Sequence, residues 1–316
     1  MIKTIAAVGL PVDEVLEIKR NRILPETPMD SMKRISIVTG IHGDELEGQY
    51  VCFELQRRIE QNKECLTGIV YIYPAMNPLG IDSITRGIPA FDLDMNRLFP
   101  GDIDGSMLEY VVARIMEDVA GSDCVLDIHA SNIYLTEIPQ IRINELHQDI
   151  LVPMAEAANV DFIWIHGAST VLESTFAYSL NHIGTPVLVV EMGVGMRITR
   201  TYGDQMVDGI FHLMKKMGIW NGEVKSVRKP IISRKPEDVC YLNASVGGVF
   251  IPNVEHGAKL KKDEIIGQIV DPLCGKVLDE VRTPEDGMLF TIRDYPVVVE
   301  GSLMGRLLKK EVCGYE

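Results

Sequence analysis

The sequence predicts an α/β domain followed by a small all-β domain, and three observations carry that prediction. Over residues 1–222, short apolar β-branched runs alternate with amphipathic helical patterns. Strands that are apolar throughout are buried on both faces, as in a largely parallel or mixed central sheet flanked by helices. Over residues 223–316 no helical period survives, and Pro and Gly punctuate short β-rich pieces, the texture of an all-β domain with tight turns. The charge changes at the same place. Residues 221–316 carry 14 basic and 15 acidic side chains, whereas residues 1–220 carry 17 and 30.

The elements follow in order. Residues 34–40 form a β-branched strand stopped by Gly40, and a helix follows from Glu45 to Gln61 with Val51, Leu55 and Ile59 at spacings of four. Residues 68–73 are a second strand, ended by Pro74. Residues 77–106, rich in Asn, Gly, Pro and Asp, read as a long loop, and loops of that length inside a compact domain tend to be functional. A helix over 108–119 leads to a third strand at 124–128. Then come a helix at 151–158, a short strand at 162–165, a buried strand at 186–190 and a helix at 204–217. The β-rich pieces of the second domain are 246–251, 264–270, 276–282, 288–293 and 296–300.

Composition narrows the function. The 316 residues carry a net charge of −14, with 46% hydrophobic and 24% charged residues, an ordinary globular mix. The acidity argues against a nucleic-acid partner. No apolar run approaches the ~20 residues of a membrane helix. Pro11 and the acids at 13, 14 and 17 spoil any export signal, and the six cysteines show no CxxC, so a cytoplasmic protein with reduced thiols is expected.

The chemistry concentrates at strand ends. Gly40-Ile41-His42-Gly43-Asp44-Glu45 lies between a strand and a helix, where open α/β sheets bind ligands. His42 and Glu45 supply an imidazole and a carboxylate, ligand types of a catalytic zinc. Asp127-Ile128-His129 closes the third strand and adds a second imidazole for the same crevice. Asp127 either orients an imidazole or caps its strand. Glu191 ends a wholly apolar strand, where an acid is costly unless paired or functional; its candidate role is that of a base. Arg86 and Arg97 sit in the Gly/Pro-rich loop and suit carboxylate recognition, with local pairing to Asp82, Asp92 or Asp94 as the alternative. His147, His166, His212 and His256 read as surface or structural residues.

In order and spacing, these pieces resemble the succinylglutamate desuccinylase/aspartoacylase family, a branch of the zinc carboxypeptidase superfamily. The matching segments are Gly-Ile-His42-Gly-Asp-Glu45-Leu-Glu-Gly, Asn77-Pro78, Asp94-Met-Asn96-Arg97-Leu-Phe-Pro, Asp127-Ile-His129 and Val190-Glu191-Met-Gly, within residues 33–218. The resemblance implies a zinc-carboxypeptidase-like domain and hydrolysis of the amide of a small N-acylated amino acid. It implies one zinc per chain on His42, Glu45 and His129. Glu191 would be the general acid/base, Arg86 would polarise the scissile carbonyl, and Asn96 with Arg97 would hold a substrate carboxylate.

The second domain resembles a lipoyl-like barrel-sandwich, but its 284–288 turn has no lysine, so no attached cofactor is expected. It is expected to cover one side of the active site or to mediate contacts in a homo-oligomer. The sequence also departs from aspartoacylase. That enzyme has a substrate-binding arginine shortly before its catalytic Glu, whereas residues 171–190 here contain no Arg or Lys, which argues against N-acetylaspartate. Arg142 or Arg197 is the candidate replacement. Two alternatives stand beside the deacylase reading: a metallocarboxypeptidase acting on a small peptide, and a non-catalytic binding protein on the same fold.

Overall fold

The computed structural model describes residues 1–314 except Pro11, Pro28, Met29, Ala90, Asp92 and residues 168–172. Strand β1 (Ile2–Gly9) and β2 (Val15–Ile23) form an N-terminal hairpin. They precede β3 (Arg34–Thr39), α1 (Glu47–Gln61), β4 (Ile69–Tyr73), α2 (Pro78–Ser83) and α3 (Met107–Val119). Next come β5 (Cys124–His129), β6 (Leu135–Asn144), α4 (Gln148–Ala155), β7 (Phe162–His166), α5 (Phe176–His182), β8 (Val187–Gly193) and α6 (Arg200–Met217). The remainder is β9 (Ile231–Ser233), β10 (Val239–Asn243), β11 (Gly248–Pro252), β12 (Lys259–Leu260), β13 (Ile265–Asp271), β14 (Lys276–Arg282), β15 (Gly287–Arg293), β16 (Val297–Val298), β17 (Leu303–Lys309) and a last turn, α7 (Lys310–Cys313).

The heart of the large sheet is parallel, in the order β4-β3-β5-β8. Antiparallel strands flank it: β2 and β1 beyond β4, and β6 beyond β8. Helices cover both faces. Ile35 and Ile37 of β3 pack with α1, α4 and α6, while Val38 lies in the opposite layer with α3 and α5. A capping box fixes the start of α3, with Ser106 and Glu109 exchanging side-chain bonds to backbone.

The expected mixed α/β sheet is present, with extra elements. The charged residues of β2 (Glu17, Lys19, Arg20, Arg22) hide its alternation, and Pro139 interrupts β6, so neither reads as a strand in sequence. Helix α5 is only seven residues, too short to display a period. The 77–106 segment, read as loop, contains α2 and a 3₁₀ turn at Met95–Arg97.

The C-terminal strands divide between two sheets. β11, β13, β14 and β16 form their own antiparallel sheet, and β10, β12, β15 and β17 join the large one. Leu242, Phe250, Ile269, Leu289 and Leu307 fill the layer between them, which makes a sandwich. Strand pairs β7–β9 and β6–β15 run across position 222/223, where the sequence changes texture. No described helix is long and apolar enough to cross a membrane.

Candidate active site

The parallel strands β3, β5 and β8 end at one edge of the sheet, the edge at which such sheets bind ligands. His129 is the last residue of β5 and pairs in register with Glu191 of β8, so strand pairing alone sets these side chains next to each other. After β3, Gly40 turns the chain at a φ of +71°, a conformation that costs glycine nothing. A Cβ on Gly43 would stand 2.0 Å from the carbonyl carbon of Gly80. Only glycine therefore lets the His42 turn press against the 77–80 segment.

Asn77 locks that contact. Its Oδ1 accepts from Gly80 N at 2.9 Å, and its Nδ2 donates to the Gly87 carbonyl at 3.0 Å. Asn77-Pro78 is thus a helix cap that also anchors the loop carrying Arg86. Gly43 N donates to the Arg86 carbonyl at 3.2 Å and completes the tie.

His42, Glu45 and His129 converge, all buried, with candidate ligand atoms within 4.8 Å of one another. His42 Nδ1 is 2.8 Å from Glu45 Oε1, and His129 Nδ1 is 2.9 Å from Glu45 Oε2. Burial alone would raise the Glu45 carboxyl, but the two imidazoles hold it well below the usual carboxylate range. Two imidazole nitrogens and a carboxylate, preorganised and shielded, form a donor set able to hold a metal ion.

A carboxylate stands behind each histidine. Asp127 Oδ2 is 3.0 Å from His129 Nε2, and Asp94 Oδ1 is 3.1 Å from His42 Nε2. Each ring thus offers Nδ1 to the cluster while Nε2 is engaged, which fixes tautomer and orientation. Of the two roles open to Asp127, the geometry selects orientation. Asp94 does more than pair with arginine, although its Oδ2 also lies 3.6 Å from Arg86 Nε. Asp127→Asn is expected to weaken metal binding by about 10–100-fold. Competition against a chelator reads this, and unchanged affinity rejects the orienting role.

Arg86 reaches the cluster from the solvent side, its NH1 2.9 Å from Glu45 Oε1. Asp92, a pairing candidate for the arginines, lies outside the described residues. Asn96 is buried, and its Oδ1 accepts from Phe176 N at 2.8 Å, so it fixes the start of α5 and keeps only Nδ2 for a ligand. Arg97 is exposed and lines the cavity, and its NH1 donates to the Asn96 carbonyl at 2.7 Å. Among the described residues, no carboxylate stands within ion-pair distance of it.

Two lobes open on this centre. One, of about 290 Å³, is lined by Arg97, Asn144, Tyr178, Asn181 and Glu191 among others. The second, of about 320 Å³, runs past Ser131, Asn132, Tyr134 and Arg306. His42, Arg86, Arg142 and Glu191 face both. Glu191 is 14% exposed, with Arg142 NH1 at 3.3 Å. Burial raises its carboxyl to about 7, against the pull of Arg142.

Four residues escaped the sequence reading. His147 and His166 line the first lobe rather than being merely surface or structural; burial lowers the His166 pKa, favouring its neutral form. Glu137 and Arg306 gave no signal, because their partners are 169 positions apart. Of the two arginines considered for anion binding, Arg142 faces the cavity, whereas Arg197 lies 3.7 Å from Asp294, outside both lobes' linings.

The chain has known relatives in sequence and in fold. The model of the succinylglutamate desuccinylase/aspartoacylase catalytic domain matches residues 31–217. The N-alpha-acetyl-L-2,4-diaminobutyric acid deacetylase of Halomonas elongata is 28% identical over 269 residues, spanning 82% of this chain and 77% of that protein. Among solved structures, a succinylglutamate desuccinylase/aspartoacylase from Rhodobacter sphaeroides superposes with a TM-score of 0.80 at 22% identity, over 98% of this chain and 95% of that one. The product-bound ectoine utilization protein of Ruegeria pomeroyi gives a TM-score of 0.78 at 19% identity, over 94% and 90%. At these identities the structural likeness establishes the fold.

Proposed function

The chain belongs to the succinylglutamate desuccinylase/aspartoacylase family, and from that premise we propose that it hydrolyses the amide bond of a small N-acylated amino acid with the help of zinc. One observation carries the reading. Of the buried donor set, His42 and His129 line the same lobe as Glu191, Arg86 and Arg97, and Glu45 lines the adjoining lobe. Zinc, held by the three donors, would supply Lewis-acid polarisation and a water acidic enough to lose its proton near neutrality.

The rest is done by the chain's own side chains. The Glu191 carboxylate accepts the proton of the attacking water and returns it to the leaving amine nitrogen. The guanidinium of Arg86 faces the oxygen on which negative charge develops as the amide carbon becomes tetrahedral. Arg97 and the Nδ2 of Asn96 hold the substrate carboxylate, which fixes the amide over the cluster. The amino-acid side chain then meets Asn144, Tyr178 and Asn181, in a lobe that His147 and His166 also line.

The test is a panel of N-acetyl and N-succinyl amino acids, N-acetyl-diaminobutyrate included, with an unblocked dipeptide as control and zinc-loaded chain as enzyme. Release of free amino acid from the acylated compounds is expected. Cleavage of the dipeptide alone would assign a carboxypeptidase, and no stoichiometric metal with no turnover would assign a binding protein.

Arg97→Ala is expected to raise KM for carboxylate substrates by about 10–100-fold, the worth of a charged hydrogen bond of ~1.5–3 kcal/mol. Kinetics on an N-acyl amino acid and its carboxamide analogue measure this. An equal loss on both would make Arg97 a structural residue.

A further inference from the structure

We propose that Arg306, contributed by the C-terminal strand β17, is a positioning residue that holds Arg142 against Glu191; the proposal rests on the deacylase reading of Glu191. The joint is Glu137, whose side chain is 0% exposed. A carboxylate buried that completely must be compensated by cations and hydrogen bonds. Arg306 NH1 lies 2.5 Å from its Oε1, and Thr291 Oγ1 donates to the same oxygen at 3.1 Å. Arg142 NH2 donates to both oxygens, at 2.9 and 3.1 Å.

Arg142 is therefore shared. Its other terminal nitrogen, NH1, stands 3.3 Å from Glu191 Oε1. Its Nε is buried with no partner, so the two carboxylates and the Trp164 ring beneath the guanidinium set its direction. Glu137 and Glu191 compete for one guanidinium, and Arg306 settles the competition. By giving Glu137 Oε1 a second cation, it leaves Arg142 NH1 to Glu191. The four groups alternate in sign and sum to zero charge. Without Arg306, Glu137 would keep a single cation and draw it into the two-pronged arrangement that carboxylates favour. Arg142 would then leave Glu191, and a displacement of about 1 Å at such a group costs on the order of 10²-fold in rate.

The test uses the full-length chain loaded with zinc. Arg306→Met is expected to lower kcat by about 10–100-fold on an N-acetyl amino acid, with KM changed less than about threefold. Arg306→Lys should recover part of the loss, because its ammonium restores the charge without the fork. In a Glu137→Gln background, where the competing charge is gone, Arg306→Met should cost less than about threefold more. A rise in KM at constant kcat, or a kcat loss undiminished in that background, overturns the proposal. A crystal structure of the Arg306→Met chain gives a reading independent of turnover. Arg142 should turn onto Glu137 and stand more than about 4 Å from Glu191; Arg142 left in place overturns the proposal. If the unmodified chain cleaves no amide in the panel, the deacylase reading fails, and Arg142's position in that crystal structure still decides this one.

Discussion

Glu191→Gln is expected to lower kcat by about 10²–10⁴-fold, the usual worth of a positioned general acid/base, while the chain keeps its full complement of metal. The amide preserves the shape of the side chain and removes only the proton-accepting charge. Glu191 is not one of the three converging donors, so elemental analysis should find equal metal in both proteins. The pH profile adds a second check. A carboxylate works as a base only when ionised, so activity falls as pH drops through its pKa. Burial raises that value to about 7, and a cation bound beside it would lower it. The acid limb of kcat should therefore have its midpoint at or below about 7. Retained turnover in the variant would remove Glu191 from the mechanism.

His129→Ala should lose both metal and activity, the latter by more than about 10³-fold, because two donors rarely retain a catalytic zinc. A second effect follows from burial. Asp127 is 1% exposed and faces His129 Nε2 at 3.0 Å. Losing the ring leaves that carboxylate buried without its partner, which costs about 3–5 kcal/mol. Metal content, turnover and thermal melting should all fall in this variant, while Asp127→Asn together with His129→Ala should regain part of the stability. A His129→Ala chain that binds one metal ion and turns over normally would reject the donor assignment.

Much of this was legible in the sequence. The parallel strands are apolar throughout, so their runs announce themselves, and the candidate site residues follow their ends at short range. His42 with Glu45, and Asp127 with His129, are neighbours along the chain that share one local backbone turn or strand. What remained hidden depends on contacts distant in sequence. β6 is broken by Pro139 and carries the charged Glu137 and Arg142, so its residues resemble a loop until Arg306 and Thr291 are brought against them. Asp94 was visible in its motif, but its partner His42 lies 52 positions away. The Asn77-Pro78 signature marks a helix start by local rules. That the same side chain also anchors the Arg86 loop is a tertiary fact.

The outer edge of β6 is divided between two strands. Residues 135–137 pair with β15, and residues 140–144 pair with β7. A strand edge whose amides and carbonyls lack partners is a template on which another chain can add. The stretch that β15 covers lies beside the second lobe, which Leu135 lines. Strand β15 thus closes off an edge that would otherwise be open to another chain at the rim of the cavity.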